Sequence, residues 1–230
     1  MPTAFVTGAT GFVGRAVVPA LRAQGARVVA HVRPDSSRLA EWRERFAAQG
    51  AEVDATPWDA AAMTATLRAL APTHVYFLIG TTRARAGREG IAGDRYQAID
   101  YGLCKILIEA SVACGSRPRF VLLSSVGVSA ETKAAYLHAH WMAEEAVRGS
   151  GLPWLIARPS FITGAGRDDA RPAERIGAAV GDGLLAVAGL VAPGMRAKYR
   201  STTPEILGGV LARAGLAGGA DRVLEGDELR

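Results

Sequence analysis

Short runs of apolar and β-branched residues alternate with segments whose apolar positions recur every three or four residues, from the start of the chain to about residue 160. Thr3–Thr7 reads as a strand, and Phe12–Gln24, with Val13, Val17, Val18 and Leu21 at helical spacing, as a helix ended by Gly25. Strand Arg27–Val32 and helix Ser36–Gln49 repeat the unit, followed by strand Glu52–Ala55, helix Ala60–Leu70 and strand His74–Ile79. A long helix is predicted over Tyr96–Cys114, a fifth strand over Arg119–Ser124, a helix over Tyr136–Arg148 and a sixth strand over Trp154–Ala157. Such alternation implies right-handed βαβ units and a doubly wound parallel sheet covered on both faces, an α/β fold of the Rossmann type. After Arg158-Pro159 the rhythm breaks. Residues 160–202 mix Gly, Ala, Pro and Arg without a period and are expected to form a small C-terminal cap. Thr203–Ala214 then reads as a helix and Arg222–Leu224 as a last short strand. The 230 residues are thus expected to form one domain, its core drawn from about 1–160 and 203–225.

The glycines sharpen this picture. Thr7-Gly8-Ala9-Thr10-Gly11-Phe12-Val13-Gly14 falls where the first strand passes into the first helix, with GxxGxxG spacing. The first glycine permits a tight turn, the second lets backbone approach a pyrophosphate, and the third packs helix against strand. Thr7, Gly8, Thr10, Gly11, Phe12, Val13 and Gly14 are therefore candidate dinucleotide contacts at a helix N-terminus. The second strand ends in His31-Val32-Arg33-Pro34. A carboxylate there would bond the ribose 2′-hydroxyl of NAD, whereas Arg33 offers a cation for a 2′-phosphate. NADP is accordingly the expected cofactor, with NAD as the alternative, and Ser36, Ser37 and Arg38 are further donors. Asp59, after the third strand, could meet an adenine amino group, cap the helix that follows, or do both.

Composition excludes several classes. Apolar residues at 49% and charged residues at 21% rule out a disordered chain. The net charge of +5 comes from 24 arginines and only three lysines, Lys105, Lys133 and Lys198. Aromatic residues make up 7% and do not interleave with the basic ones, which argues against nucleic acid as a partner. Arg83, Arg85, Arg88 and Arg95 read either as a solvated basic loop or as an anion-facing flap. Cys104 and Cys114 lack metal or redox spacing, and no leader or membrane-length apolar run is visible, so a cytoplasmic protein with no membrane span is expected. The patch Leu184–Ala192 suits core, a homodimer contact or the wall of an apolar substrate pocket. His138 and His140 stand two apart on a helix and face different ways, so no metal is expected. Ser124 or Ser125 with a histidine lacks the G-x-S-x-G elbow of a hydrolase.

The motifs in order, TGATGFVG at 7–14, Leu123-Ser124-Ser125, Tyr136 and Arg158-Pro159-Ser160-Phe161-Ile162-Thr163-Gly164, resemble the short-chain dehydrogenase/reductase superfamily. The stretch Phe77-Leu78-Ile79-Gly80-Thr81-Thr82-Arg83 and the run YLHAHWMAEE at 136–145 narrow the resemblance to its atypical branch, the Tat-interacting-oxidoreductase group. The resemblance implies NADP lying across the strand ends, with Gly80, Thr81 and Thr82 beneath it, Ser124 near it, and Pro159, Ser160, Phe161 and Ile162 beside the nicotinamide. It also implies an oxidoreductase acting on a small carbonyl or hydroxyl substrate, with Tyr136 as general acid/base and Ser125 orienting the reacting oxygen. The family places a lysine four residues after its tyrosine; here that position is His140. Three readings stand. His140 assists as a weaker, pH-dependent partner; or the protein binds NADP(H) for a regulatory or assembly role without chemistry; or Tyr136 and His140 are ordinary packing residues.

Overall fold

The computed structural model describes residues 1–80, 96–164 and 201–230. Seven strands form one parallel sheet in the order β3-β2-β1-β4-β5-β6-β7. They are β1 Thr3–Thr7, β2 Arg27–His31, β3 Glu52–Asp54, β4 His74–Phe77, β5 Arg119–Leu123, β6 Trp154–Arg158 and β7 Arg222–Glu225. The described helices are α1 Gly14–Ala23, α2 Leu39–Ala48, α3 Ala60–Leu70, α4 Leu103–Ala113, α5 Ala135–Gly149 and α6 Pro204–Leu216. Apolar residues alternate along each strand between two cores, as the period of two requires. Ala4, Val6, Tyr76, Val121 and Leu155 face α1, α2 and α6, while Phe5, Val75, Phe77, Phe120, Leu122 and Ile156 face α3, α4 and α5. A sheet buried on both faces is the expected companion of all-parallel pairing.

β1 is flanked by β2 on one side and β4 on the other, so the order of strands reverses there. Ligands of doubly wound sheets bind at such a switch point, outside the carboxyl ends of the strands. The connections leaving β1 and β4 meet there: the Leu78 amide bonds the Thr7 carbonyl at 3.1 Å, and the buried Thr7 hydroxyl donates to the Tyr76 carbonyl.

Several expected boundaries shift. The helix predicted from Tyr96 starts with a π-helical segment, Gln97–Gly102, and becomes regular only at Leu103. β4 stops at Phe77, two residues short of the expectation, because the chain leaves the sheet at the glycine-loop contact. β6 gains Arg158, which pairs with Glu225 of β7. Of the cap expected over residues 160–202, residues 165–200 with the patch Leu184–Ala192 lie outside the described residues, as do Thr81, Thr82 and the four loop arginines. No described helix is long and apolar enough to cross a membrane.

Candidate dinucleotide site

The glycine loop packs to the limit of backbone contact. Gly8 has φ +72°, and a Cβ there would lie 2.6 Å from the Leu78 carbonyl carbon. A Cβ on Gly14 would lie 2.2 Å from the Gly8 oxygen. These two glycines are structural necessities of the turn. Gly11 differs: it is exposed, and among the described residues only the Gly8 oxygen comes within 4 Å of a Cβ built there. Its open face is a cradle a phosphate can enter. Helix α1, which follows, has no side-chain cap and no acidic residue in its first turn, so its amide dipoles face outward uncancelled. The cradle and helix end therefore fit a pyrophosphate. The Phe12 ring lies toward the segment after β6, 3.4 Å from a Cβ built on Gly164.

Just past the end of β2, Arg33 is exposed and stands 3.7 Å from the exposed Asp35 carboxylate. Arg38 is instead held by both oxygens of Glu41, at 2.6 and 2.8 Å, and lies over the Trp42 ring. Ser36 also turns inward along its own segment, accepting from the Arg38 amide. Arg33 is thus the better placed of the two arginines for an external phosphate. Asp59 caps α3, accepting from the Ala62 amide at 2.9 Å, and remains exposed at that edge. At the end of β4, Gly80 is exposed and faces the Asp100 carboxylate.

The other half of the site gathers on β5, β6 and α5. The Val126 amide donates to the Pro159 carbonyl at 3.0 Å, which ties the turn bearing Ser125 to residues 159–162. Ile162 bridges Thr202, and Phe161 is 65% exposed, an unusual outlay of ring surface that fits the edge of a binding cleft. Tyr136 sits near the start of α5. Its ring meets His140 edge-to-face at 4.5 Å and Tyr96 at 5.9 Å. Gly127, in the turn after β5, approaches Leu137 at the same helix end. The structure therefore brings Tyr136 and His140 together near the start of α5, where Leu137 reaches the turn that follows Ser125.

Ser124 is committed elsewhere. Its hydroxyl donates to Glu144 at 2.5 Å, while the Ser125 hydroxyl donates to the Val126 carbonyl at 3.3 Å. Glu144 is buried and also receives Arg158 through two bonds, at 2.8 and 2.6 Å. Burial alone would push its carboxyl up, yet the bonds from Arg158 and Ser124 hold it below the usual range. Sequence reasoning missed Glu144. Its signal was a carboxylate at the third place of the series Tyr136, His140, Glu144, spaced by four on the inward face of α5.

His140 is buried, and its Nε2 has no hydrogen-bond partner among the described residues. Burial pushes its pKa down to about 4, against a smaller opposite pull from Glu144. The imidazole is therefore neutral at physiological pH and does not replace the charge of the family's lysine. A folded-state pKa below the unfolded value of 6.5 favours the native protein while the ring is neutral and costs stability as pH falls. Between pH 7.5 and 5 this single group should remove about 2 kcal/mol. Urea unfolding at both pH values checks this, with His140→Gln expected to flatten the difference by that amount. No group of three metal-binding side chains occurs among the described residues.

The seven-stranded order, the switch point and the glycine cradle define a Rossmann-type dinucleotide-binding protein. Residues 8–183 match the model of the NAD(P)H-binding family, and the chain belongs to that family. It is 28% identical over 179 residues to the mitochondrial protein fmp52 of Emericella nidulans, covering 76% of this chain and 73% of that one. It is 31% identical over 162 residues to the ceramide reductase of Caulobacter vibrioides, covering 70% of this chain and 46% of that enzyme. A further relative is matched over only 36% of its length. Among solved structures, a protein assigned as an epimerase from Burkholderia cenocepacia superposes with a TM-score of 0.70 at 22% identity, over 97% of this chain and 75% of that one. That likeness concerns the fold.

Proposed function

We propose that this chain is an NADP-dependent reductase of a small carbonyl compound, with Tyr136 as proton donor and Ser125 as the group that orients the carbonyl oxygen. What supports the reading is that the start of α5, which bears Tyr136, reaches the turn after β5 through Leu137 and Gly127, while that same turn is bonded to Pro159 at the carboxyl end of the sheet, the end that also carries the glycine cradle. When bound, the cofactor supplies a hydride to the carbonyl carbon. Ser125 then holds the oxygen by a hydrogen bond, and the Tyr136 hydroxyl gives it a proton, leaving an alcohol. Phe161, exposed two residues after the Pro159 carbonyl that binds the Ser125 turn, offers apolar surface at that end of the site, in keeping with an apolar substrate. The reductive direction is supported by the name of the Caulobacter relative, a ceramide reductase. Arg33 supports the choice of NADP over NAD.

Consumption of NADPH with a broad panel of aldehydes and ketones tests the activity. For the cofactor, Arg33→Ala should weaken NADP binding by about tenfold or more, the worth of one charge-assisted bond, and leave NAD within about twofold. Calorimetry with both nucleotides decides it; equal affinities for NADP and NAD in the parent protein would remove the basis for the assignment.

A neutral, buried His140 favours a second reading, in which the protein binds NADP(H) to regulate or assemble with another protein. Tight NADPH binding with no turnover across the panel would select it.

A further inference from the structure

The Glu144 carboxylate is the meeting point of three segments. Its Oε1 accepts from Ser124 Oγ at the end of β5 and from Arg158 Nε at the end of β6. Its Oε2 accepts from Arg158 Nη2 and, at 3.1 Å, from Arg148 Nη2 one turn further along α5. Both oxygens are therefore saturated by donors, most of them cationic. Arg158 continues through Nη1 to Glu225 at the end of β7, 2.8 Å away. The residues next in the chain to the strand-end donors are Ser125 and Pro159, which the Val126–Pro159 bond already joins. Tyr136 lies eight residues before Glu144 on the same face of α5, about 12 Å along the axis.

We propose that Glu144 is a positioning residue that sets where the Tyr136 phenol stands relative to Ser125 and residues 159–162. The inference rests on the reading of Tyr136 and Ser125 as the reacting pair. An apolar side chain at 144 would fill the same volume and avoid the cost of burying charge. It would not fix an angle. Packing alone lets a helix roll or slide by a fraction of an ångström, whereas four directional bonds to one carboxylate lose strength as soon as it does. Because α5 moves as a rigid rod, a displacement at Glu144 is carried to the phenol two turns away. Arg158 and Glu225 extend the constraint to β7, so the carboxyl ends of β5, β6 and β7 are fixed to the helix through one oxygen pair.

The test uses the full chain with its tyrosines replaced by 3-fluorotyrosine and read by fluorine NMR, Tyr136→Phe identifying the relevant signal. Glu144→Gln keeps the shape of the side chain and an acceptor for Ser124 but loses the charge. It should shift or broaden the Tyr136 signal, and that of Tyr96 packed against it. Leu67→Ala, which opens a cavity on α3, should lower the melting temperature and leave the Tyr136 signal in place. A Tyr136 signal unchanged in Glu144→Gln overturns the proposal, as does an equal disturbance in Leu67→Ala. Should Glu144→Gln fail to fold, Ser124→Ala severs the β5 arm alone and should produce a smaller shift of the same signal; no shift again overturns it. The resonance reports the place of the phenol whether or not it moves a proton, so absence of turnover counts against the reductase reading and not against this one. With a turned-over carbonyl in hand, Glu144→Gln should lower kcat about 100-fold, the cost of an ångström-scale misplacement, with KM for NADPH within about twofold. An unchanged kcat would overturn the inference.

Discussion

Gly8→Ala should cost about 3–5 kcal/mol of folding stability and abolish NADPH binding. Two effects add. The residue sits at φ +72°, where a side chain carries a steric penalty of about 1–2 kcal/mol. The new methyl would also stand 2.6 Å from the Leu78 carbonyl carbon, 2.7 Å from its oxygen and 2.9 Å from the Ile79 nitrogen. All three are backbone atoms just beyond the β1–β4 pairing, where the Leu78 amide is bonded to the Thr7 carbonyl, so the contact cannot relax without straining that bond at the carboxyl ends of the two strands. That strain opens the switch point itself, shifts Gly80 and tilts the cradle at Gly11. Gly25→Ala is the matched comparison, because Gly25 has a similar φ of +78° and no described atom within 4 Å of its Cβ position. It should lose only the backbone penalty and bind NADPH normally. Urea denaturation with fluorescence titration of NADPH measures both. A Gly8→Ala protein as stable as Gly25→Ala would show that the contact with Leu78 relaxes at little cost.

Tyr136→Phe should reduce carbonyl turnover by about 10²- to 10⁴-fold while leaving NADPH affinity within about twofold. The phenol is the proton donor of the proposed reaction, and no binding contact to the nucleotide is assigned to it. Phenylalanine preserves the edge-to-face packing on His140 and Tyr96, so stability should change little. The split between kcat and cofactor affinity separates this role from a packing role, in which all three quantities would move together or not at all. Because His140 is neutral above about pH 5, the turnover profile should carry no inflection from that imidazole near pH 6.5. A profile that rises or falls through pH 6.5 and is flattened by His140→Gln would assign the ring a titrating part in the chemistry.

Much of the architecture could be read from local pattern. β1 was legible because its five apolar or β-branched residues end in a glycine turn, and α1 because its apolar residues recur at helical spacing. The parallel sheet followed from the alternation of elements, since crossovers in such folds leave few topologies. The π segment at Gln97–Gly102 was not legible: its sequence keeps a helical period, and the register slip depends on what packs against it. Ser124 and Ser125 are indistinguishable in sequence. The approach of Glu144 from a helix twenty residues on separates Ser124, whose proton is spent on that carboxylate, from Ser125, which makes a long bond to the neighbouring Val126 carbonyl.

His140 divides the two kinds of knowledge most clearly. Residue order alone was enough to show an imidazole at the position of the superfamily's lysine, and a glycine turn between the first strand and the first helix of an α/β fold. It could not determine the charge on that imidazole, because a histidine titrates near 6.5 in water and the shift depends on which atoms surround it. Tertiary packing decided that: α5 buries the ring against Tyr136 with no partner for Nε2 among the described residues, and desolvation makes it neutral. Packing likewise turned three residues distant in sequence, Ser124, Glu144 and Arg158, into one hydrogen-bonded group. Such a group is a property of elements brought side by side, and no periodicity within any one of them encodes it.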